Sequence, residues 1–161
     1  MAIDPYTHFK QVITALDDAG VDFLIVGGIA LRFYGIERAT KDIDLMILPQ
    51  DAERAIQILK RLGYRQFDPT MVFEEGRIVI ERLTYVDVEE ESFLKVDLLQ
   101  PKGEPFLSIW SMRKAFDYEG RKIHVVSREG LMELKRLRGS ELDLKDIEFL
   151  KETSDEENSL P

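Results

Sequence analysis

The feature that most constrains the fold is an alternation of residue types over residues 42–47. Apolar Ile43 and Leu45 alternate with Asp42 and Asp44, and this period of two predicts a β-strand whose two carboxylates share one face. Like charges this close repel each other and raise each other's pKa, so a bound cation would make the arrangement favourable. Oxygen ligands without His or Cys suit Mg²⁺ or Mn²⁺. The alternative interpretation is a pair of solvated acids at a strand end.

A third carboxylate, Asp97, interrupts the apolar run of residues 93–99, which predicts a buried strand. An unpaired carboxylate in such a strand costs several kcal/mol. A neighbouring strand that carries Asp42, Asp44 and a metal ion would make the charge of Asp97 favourable. The alternative is a salt bridge to an arginine such as Arg38 or Arg82.

Gly27 and Gly28 follow a short apolar run, residues 23–26, that predicts another buried strand, and they precede a predicted helix at residues 29–34. Backbone amides at such a junction are exposed, and the helix dipole favours an anion. Glycines also let a phosphate approach the main chain closely. A 13-residue spacer separates this pair from Asp42, a length that could bring both motifs to one pocket. Glycine pairs also serve ordinary tight turns.

The remaining pattern predicts an α/β (α+β) class, with a mixed β-sheet flanked by helices and further helices at the C-terminal end. Apolar periodicity predicts helices at residues 6–19, 51–62, 105–116, 127–138 and 144–150, and strands at 78–86, 93–99 and 122–126. Asp51 and Ser127 are the expected N-caps of two of these helices. We expect one domain over residues 1–150 and an acidic flexible tail over 151–161.

Composition restricts the function classes. The 161 residues include no cysteine, which excludes disulfides and thiolate metal sites, and His8 and His124 lack the spacing of zinc ligands. The net charge of −9 argues against broad DNA binding, which requires the neutralisation of many phosphates. No secretory signal and no apolar run of about 20 residues is present, so we expect a cytoplasmic protein with no membrane contact.

Taken together, Gly27-Gly28, the run from Arg38 to Leu45 and the later Val96-Asp97-Leu98-Leu99 resemble the nucleotidyltransferase superfamily related to DNA polymerase beta. The most similar part of it is the minimal branch that contains abortive-infection toxins and antibiotic nucleotidyltransferases. The resemblance extends from Val21 to Leu150. The Gly-Gly pair, the Asp-x-Asp motif and the third Asp form a specific pattern only in combination.

The resemblance implies a role for each acid and glycine of the pattern. Asp42 and Asp44 would bind Mg²⁺ or Mn²⁺ ions that hold a nucleoside triphosphate, and Asp97 would share one metal and help to deprotonate the attacking hydroxyl. Gly27 and Gly28 would contact the β- and γ-phosphates. The family often has a serine where this chain has Gly28, which removes a hydroxyl contact.

Four further residues are implied to contact the nucleotide. Arg38, Thr40 and Lys41 come just before the metal-binding strand, and Lys135 on a later helix would reach the leaving pyrophosphate. The alternative for Lys135 is a surface lysine beside Arg136.

The leading functional hypothesis is metal-dependent transfer of a nucleoside monophosphate from a nucleoside triphosphate to a hydroxyl, with release of pyrophosphate. The acceptor could be a small molecule, a protein side chain or an RNA end, and Phe106, Trp110 and Phe116 form either an aromatic patch for it or part of the core. One rival is a non-catalytic antitoxin or regulatory module that binds a protein partner, as in toxin–antitoxin systems. Another is a structural domain with incidental acids. Retention of three carboxylates favours catalysis.

Overall fold

A computed structural model of the chain describes residues 3–153. Its strands are β1 (Leu24–Val26), β2 (Asp42–Met46), β3 (Met71–Phe73), β4 (Ile78–Asp87), β5 (Ser92–Pro101), β6 (Arg113–Tyr118) and β7 (Arg121–Val126). Its helices are α1 (Pro5–Asp18), α2 (Gly27–Phe33), α3 (Pro49–Arg61), α4 (Phe106–Ser111), α5 (Arg128–Arg138) and α6 (Glu141–Glu152), with a 3-10 turn at Glu74–Gly76. The predicted α/β class with a mixed sheet is confirmed.

The seven strands form a single sheet in the order β3-β4-β5-β2-β1-β7-β6. β2 pairs with β5 and β1 pairs with β7 in parallel, whereas the other neighbours are antiparallel. The two strands that carry the predicted catalytic acids, β2 and β5, therefore lie side by side at the centre of the sheet. Next to the acids along these two strands lie Ile43, Leu45, Val96 and Leu98, which are completely buried, as expected for the opposite face of the same strands.

The predicted helix over residues 105–116 is wrong in its second half. Helix α4 ends at Ser111, and Arg113 begins strand β6, which forms a hairpin with β7. Phe116 consequently packs against the rings of Phe33 and Tyr34 instead of joining Phe106 on one helical face. The long-range hairpin overrides the local helical spacing. Phe106 is buried, and Trp110 and Phe116 pack against the core, which agrees with the core alternative and not with the aromatic patch.

The starts of α2, α3 and α6 also differ from the prediction, and α6 begins at Glu141 rather than at residue 144. α2 begins at Gly27 rather than at residue 29, and α3 begins at Pro49, so that Asp51 lies inside the first turn and does not cap the helix. Proline is favoured at this first position because the missing N–H has no partner there in any helix. The predicted cap at Ser127 is confirmed, since its side chain accepts a hydrogen bond from the amide of Gly130.

The C-terminal helix α6 continues to Glu152, so the first two residues of the predicted tail are helical. The rest of that predicted tail, residues 154–161, lies outside the described part of the chain. Within residues 3–153, no helix is long and apolar enough to cross a membrane.

Two leucines of α6 provide a test of how this helix docks. Leu150 is completely buried, whereas Leu144 is 54% exposed. We expect Leu150→Ala to lower the free energy of unfolding by about 2–5 kcal/mol, because it leaves a cavity in the core. The matched change Leu144→Ala should alter it by less than about 0.5 kcal/mol. Denaturant unfolding of both variants measures the difference, and similar losses would contradict this placement of α6.

Candidate active site

The centre of the sheet carries a row of polar side chains on one face. Asp44 lies directly opposite Val26 on β1 and directly opposite Asp97 on β5, and Asp97 in turn lies opposite Arg82 on β4. Directly opposed residues of neighbouring strands project to the same face. The strand register therefore places Asp44 and Asp97 side by side, with Asp42 two residues away on the same face.

Asp97 forms a salt bridge with an arginine and also lies opposite Asp44. The guanidinium of Arg82 donates two hydrogen bonds to the Asp97 carboxylate, at 2.8 and 2.9 Å. The salt bridge that the sequence suggested as an alternative is thus present, and it coexists with the pairing of the two acids. The other suggested partner, Arg38, contacts Asp146 instead.

Asp44 has the most perturbed carboxylate of the site. Burial, followed by the nearby negative charges of Asp97 and Asp42, raises the pKa of Asp44 to about 7. The positive charges of Arg138 and Arg82 offset only part of this rise. Perturbation by burial together with specific charged neighbours is typical of functional sites, so Asp44 is the strongest candidate in this row.

The glycine pair is required by close packing around this row. Gly27 has a φ of 72°, and a Cβ there would lie 2.8 Å from Cβ of Asp44 and closer still to its carboxylate. A Cβ at Gly28 would lie 2.9 Å from the hydroxyl oxygen of Thr40. That hydroxyl donates a hydrogen bond to the backbone carbonyl of Asp42, at 3.1 Å. Larger side chains at either glycine would displace the acid-bearing strand or the segment before it.

The two C-terminal helices contribute a cluster of ion pairs. Asp146 is 1% exposed and accepts hydrogen bonds from Lys135, at 2.9 Å, and from Arg38. Asp143 is completely buried and accepts two hydrogen bonds from Arg138, at 2.8 and 2.6 Å. Burial alone would raise the pKa of Asp143, but hydrogen bonds from Arg138 and Ser140 hold it well below its usual range.

Lys135 is therefore not the surface lysine that the alternative interpretation suggested. It is 4% exposed and tied to Asp146. The sequence suggested Arg82 only as an alternative salt-bridge partner of Asp97, and it assigned no role to Arg138, Asp143 and Asp146. A detectable signal was present, because Lys135 and Arg138, like Asp143 and Asp146, are three residues apart and so share a helix face.

A cavity of about 310 Å³ adjoins the row of polar side chains. Some of the predicted site residues line it, and others do not. Its lining includes Gly27, Asp44, Asp97 and Lys135, together with Arg138. The other predicted contacts do not line it; they are Gly28, Arg38, Thr40, Lys41 and Asp42. Lys41 is exposed, and Arg38 is turned towards Asp146.

The donor set suits a divalent cation in its chemistry. Asp42 and Asp44 supply hard oxygen ligands. Burial and then the charges of Asp97 and Asp42 raise the pKa of Asp44, and a cation would favour its charged form against both. Within residues 3–153, however, no three acidic or histidine side chains stand ready to hold a metal ion, and both oxygens of Asp97 are bound to Arg82. The residues fit a metal at Asp42 and Asp44, and the metal site remains a prediction.

The fold and the central acid row define a protein of the nucleotidyltransferase type. The sequence model of the aminoglycoside-2''-adenylyltransferase family matches residues 8–152, and the chain belongs to this family. It is therefore an enzyme, and the non-catalytic interpretation is set aside. No curated protein matches the chain closely enough to count as a relative.

Solved structures with the same fold include two antibiotic-modifying enzymes. A lincosamide antibiotic adenylyltransferase bound to lincomycin has 19% identity and a TM-score of 0.65, over 96% of this chain and 100% of that one. A protein from Thermotoga maritima proposed to be a nucleotidyltransferase has 14% identity and a TM-score of 0.62, over 97% and 96%. The ANT(2'')-Ia complex with adenylyl-2''-tobramycin has 15% identity and a TM-score of 0.58, over 89% and 86%.

The contact between Gly28 and Thr40 can be tested by a double-mutant cycle. An added methyl group at Gly28 would press on the Thr40 side chain, while removal of the Thr40 hydroxyl would relieve that pressure. We expect Gly28→Ala to be more favourable by about 1 kcal/mol in the Thr40→Ala background than in the wild type. Chemical denaturation of the four proteins measures this coupling. Additive effects would show that the two side chains do not meet.

The raised pKa of Asp44 predicts a pH dependence of stability in the presence of a chelator. Between pH 3.8 and about 7, the unfolded chain loses the Asp44 proton before the folded protein does. The unfolded state thus binds fewer protons, and the free energy of unfolding falls as pH rises through this window. We expect Asp44→Asn to remove this contribution and to be more stable than wild type at pH 8, by about 1–2 kcal/mol.

Urea unfolding at pH 4 and pH 8 measures this effect, with Glu89→Gln as a control on the exposed β4–β5 turn. The control should leave the pH dependence unchanged. Loss of stability at pH 8 in Asp44→Asn would instead mean that Asp44 compensates a buried cation.

Proposed function

We propose that this enzyme uses a divalent cation to transfer a nucleoside monophosphate, most simply adenylate, from a nucleoside triphosphate to a hydroxyl of a small molecule. The observation that carries the proposal is the pairing of Asp44 and Asp97 on adjacent strands, with Gly27 packed against Asp44, at one end of a cavity. Adenylyl transfer is the activity after which the family is named.

The proposed reaction is a single displacement at the α-phosphorus. The acceptor hydroxyl gives its proton to the carboxylate of Asp97, and its oxygen forms a bond to the α-phosphorus. The bond from that phosphorus to the bridging oxygen breaks, and pyrophosphate leaves with the electron pair. A divalent cation, held by Asp42 and Asp44 and shared with Asp97, would supply neutralisation of the triphosphate and of the charge that develops on the reacting oxygens.

The role of Arg82 in this scheme is to orient Asp97. Two parallel hydrogen bonds fix the plane of a carboxylate, and here they also bring a positive charge next to the two acids. For Asp97 to share a cation, either Arg82 must release one carboxylate oxygen of Asp97, or that oxygen must contact Arg82 and the cation together. Arg82 is thus a positioning residue of the proposed site.

Phosphate binding is assigned to the β1–α2 junction and to the cations of α5. The backbone amides of Gly27 and Gly28 begin helix α2, where the helix dipole favours an anion, while the Cβ positions of the two glycines face Asp44 and Thr40. Lys135 and Arg138 line the cavity with their positive charges held in place by Asp146 and Asp143. Cations fixed in advance stabilise a developing negative charge without reorganisation cost.

A small-molecule acceptor is favoured over a protein or an RNA end by two facts about similar proteins. One structural neighbour is described as bound to lincomycin and another as bound to adenylyl-2''-tobramycin. A chain with a net charge of −9 is also poorly suited to an RNA acceptor, because phosphate repulsion would oppose binding.

Nucleotide binding provides the first test. MgATP should raise the melting temperature of the wild type by mass action. The double variant Asp42→Asn/Asp44→Asn should lose this shift because the triphosphate loses its cation-binding acids, and pyrophosphate release with an acceptor should fall by at least about 10²–10³-fold.

A matched control removes two negative charges elsewhere. Glu89→Gln/Glu91→Gln changes two exposed residues of the β4–β5 turn and should keep both the shift and the activity. A melting shift that survives in the Asp42/Asp44 double variant would mean that the nucleotide binds at another site.

A further inference from the structure

The cavity beside the acid row is unusual for a site next to so many charges, because its walls are largely apolar. Sheet and helix both contribute aliphatic side chains: Ile78, Ile80 and Leu99 from β4 and β5, and Leu131, Leu134 and Leu137 from α5. A pocket of this size with apolar walls and a few polar groups at one end is typical of small-molecule sites. The charged residues of the lining are Asp44, Asp97, Glu74, Lys135 and Arg138.

Three of the residues assigned to phosphate, Gly27, Lys135 and Arg138, border the cavity, but its aliphatic part extends along β4 and β5. β2 and β5 run in parallel, and Asp42 lies opposite Lys95 on one side of the Asp44–Asp97 pair, whereas Leu99 lies opposite Met46 on the other side. The cavity includes Leu99 but neither Asp42 nor Lys95. The aliphatic part of the cavity therefore lies towards β4 and α5, so a molecule bound in that part meets the two acids from the side opposite the Asp42 end of the strands.

The charges around the cavity are already matched. Lys135 is held by Asp146 and Arg138 by Asp143. Glu74, at the cavity edge, is 3.3 Å from the guanidinium of Arg77. Asp97 is bound by Arg82, so among the described lining residues Asp44 is the acid that remains for a ligand.

This lining disfavours a polycation. Several ammonium groups in the cavity would lose their water against leucine and isoleucine side chains without acids to replace it, and each uncompensated charge is costly. An uncharged, apolar body would instead gain free energy from the same walls.

We infer that the cavity binds the acceptor, and that this acceptor is an amphipathic alcohol with an apolar body and at most one positive charge. The inference rests on the proposed function and goes beyond it by naming the acceptor class. The hydroxyl end lies at Asp97, and the apolar body extends along Leu99 and Ile80 beneath α5. The family name refers to aminoglycosides, which are polycations, so this member has a different acceptor class.

Leu137 is the residue through which this selectivity can be changed. It lines the cavity and is 40% exposed, so a charged side chain at this position reaches both cavity and solvent without disrupting the core. Leu137→Glu adds an acid to the apolar wall. It should weaken binding of a neutral amphiphile and strengthen binding of a polycation.

The experiment compares two probes, hexyl β-glucoside as a neutral amphipathic alcohol and tobramycin as a polycation. Each is titrated by calorimetry into the full chain, with and without magnesium and a non-hydrolysable ATP analogue. We expect hexyl β-glucoside to bind the wild type at least tenfold more tightly than tobramycin. Leu137→Glu should weaken hexyl β-glucoside binding at least tenfold and reverse the preference.

Leu144→Glu is the matched control, because Leu144 is an exposed leucine of α6 that does not line the cavity. It should retain the wild-type preference, and thermal melts verify that both variants are folded. Tighter binding of tobramycin to the wild type, or no binding of hexyl β-glucoside, would overturn the inference. Displacement of hexyl β-glucoside by adenosine would overturn it too, since the cavity would then belong to the nucleoside.

These outcomes are separate from a failure of the proposed function. Absence of a MgATP melting shift in the wild type would count against nucleotide transfer, while the titrations without nucleotide would still report on the cavity. A normal MgATP shift together with a preference for tobramycin would leave the transfer reaction in place and reject only the acceptor class.

Discussion

The repulsion between Asp44 and Asp97, two carboxylates in register on adjacent parallel strands, is the constraint on which the site depends. Strand pairing brings them together, and burial makes the interaction stronger than it would be in water. Arg82 binds one of them, and the charge of Arg138 acts on the other. Burial, followed by the part of this repulsion that the arginines leave uncompensated, raises the pKa of Asp44.

A second layer of buried charge supports the first. Asp143 and Asp146 on α6 are almost fully buried, and each binds cations that belong to other segments. A buried carboxylate without partners would be strongly destabilising, but here the partners are fixed by hydrogen bonds. The consequence is structural as well as electrostatic, because the helix pair α5 and α6 holds Lys135 and Arg138 at the cavity wall.

The apolar cavity and the acid row form one continuous site with two chemical characters. Charge is concentrated where β1, β2 and β5 meet, and aliphatic side chains cover the surface towards β4. This division matches the needs of group transfer, since a triphosphate requires compensation of charge and an acceptor requires orientation. Gly28 supports the same site. Its missing side chain leaves room for Thr40, and the Thr40 hydroxyl donates a hydrogen bond to the backbone carbonyl of Asp42.

The sequence by itself determined the features that depend on local periodicity and on short motifs. Alternation over residues 42–47 placed Asp42 and Asp44 on one face of a strand, Ser127 marked the start of α5, and the combined motifs identified the nucleotidyltransferase class. Only the tertiary structure decided that Arg82 lies opposite Asp97, that Lys135 is buried against Asp146, and that residues 113–118 form a strand. These outcomes depend on strand register and on packing between distant segments. Local spacing shows that Lys135 and Arg138 share a helix face, but it does not show which distant residues that face meets.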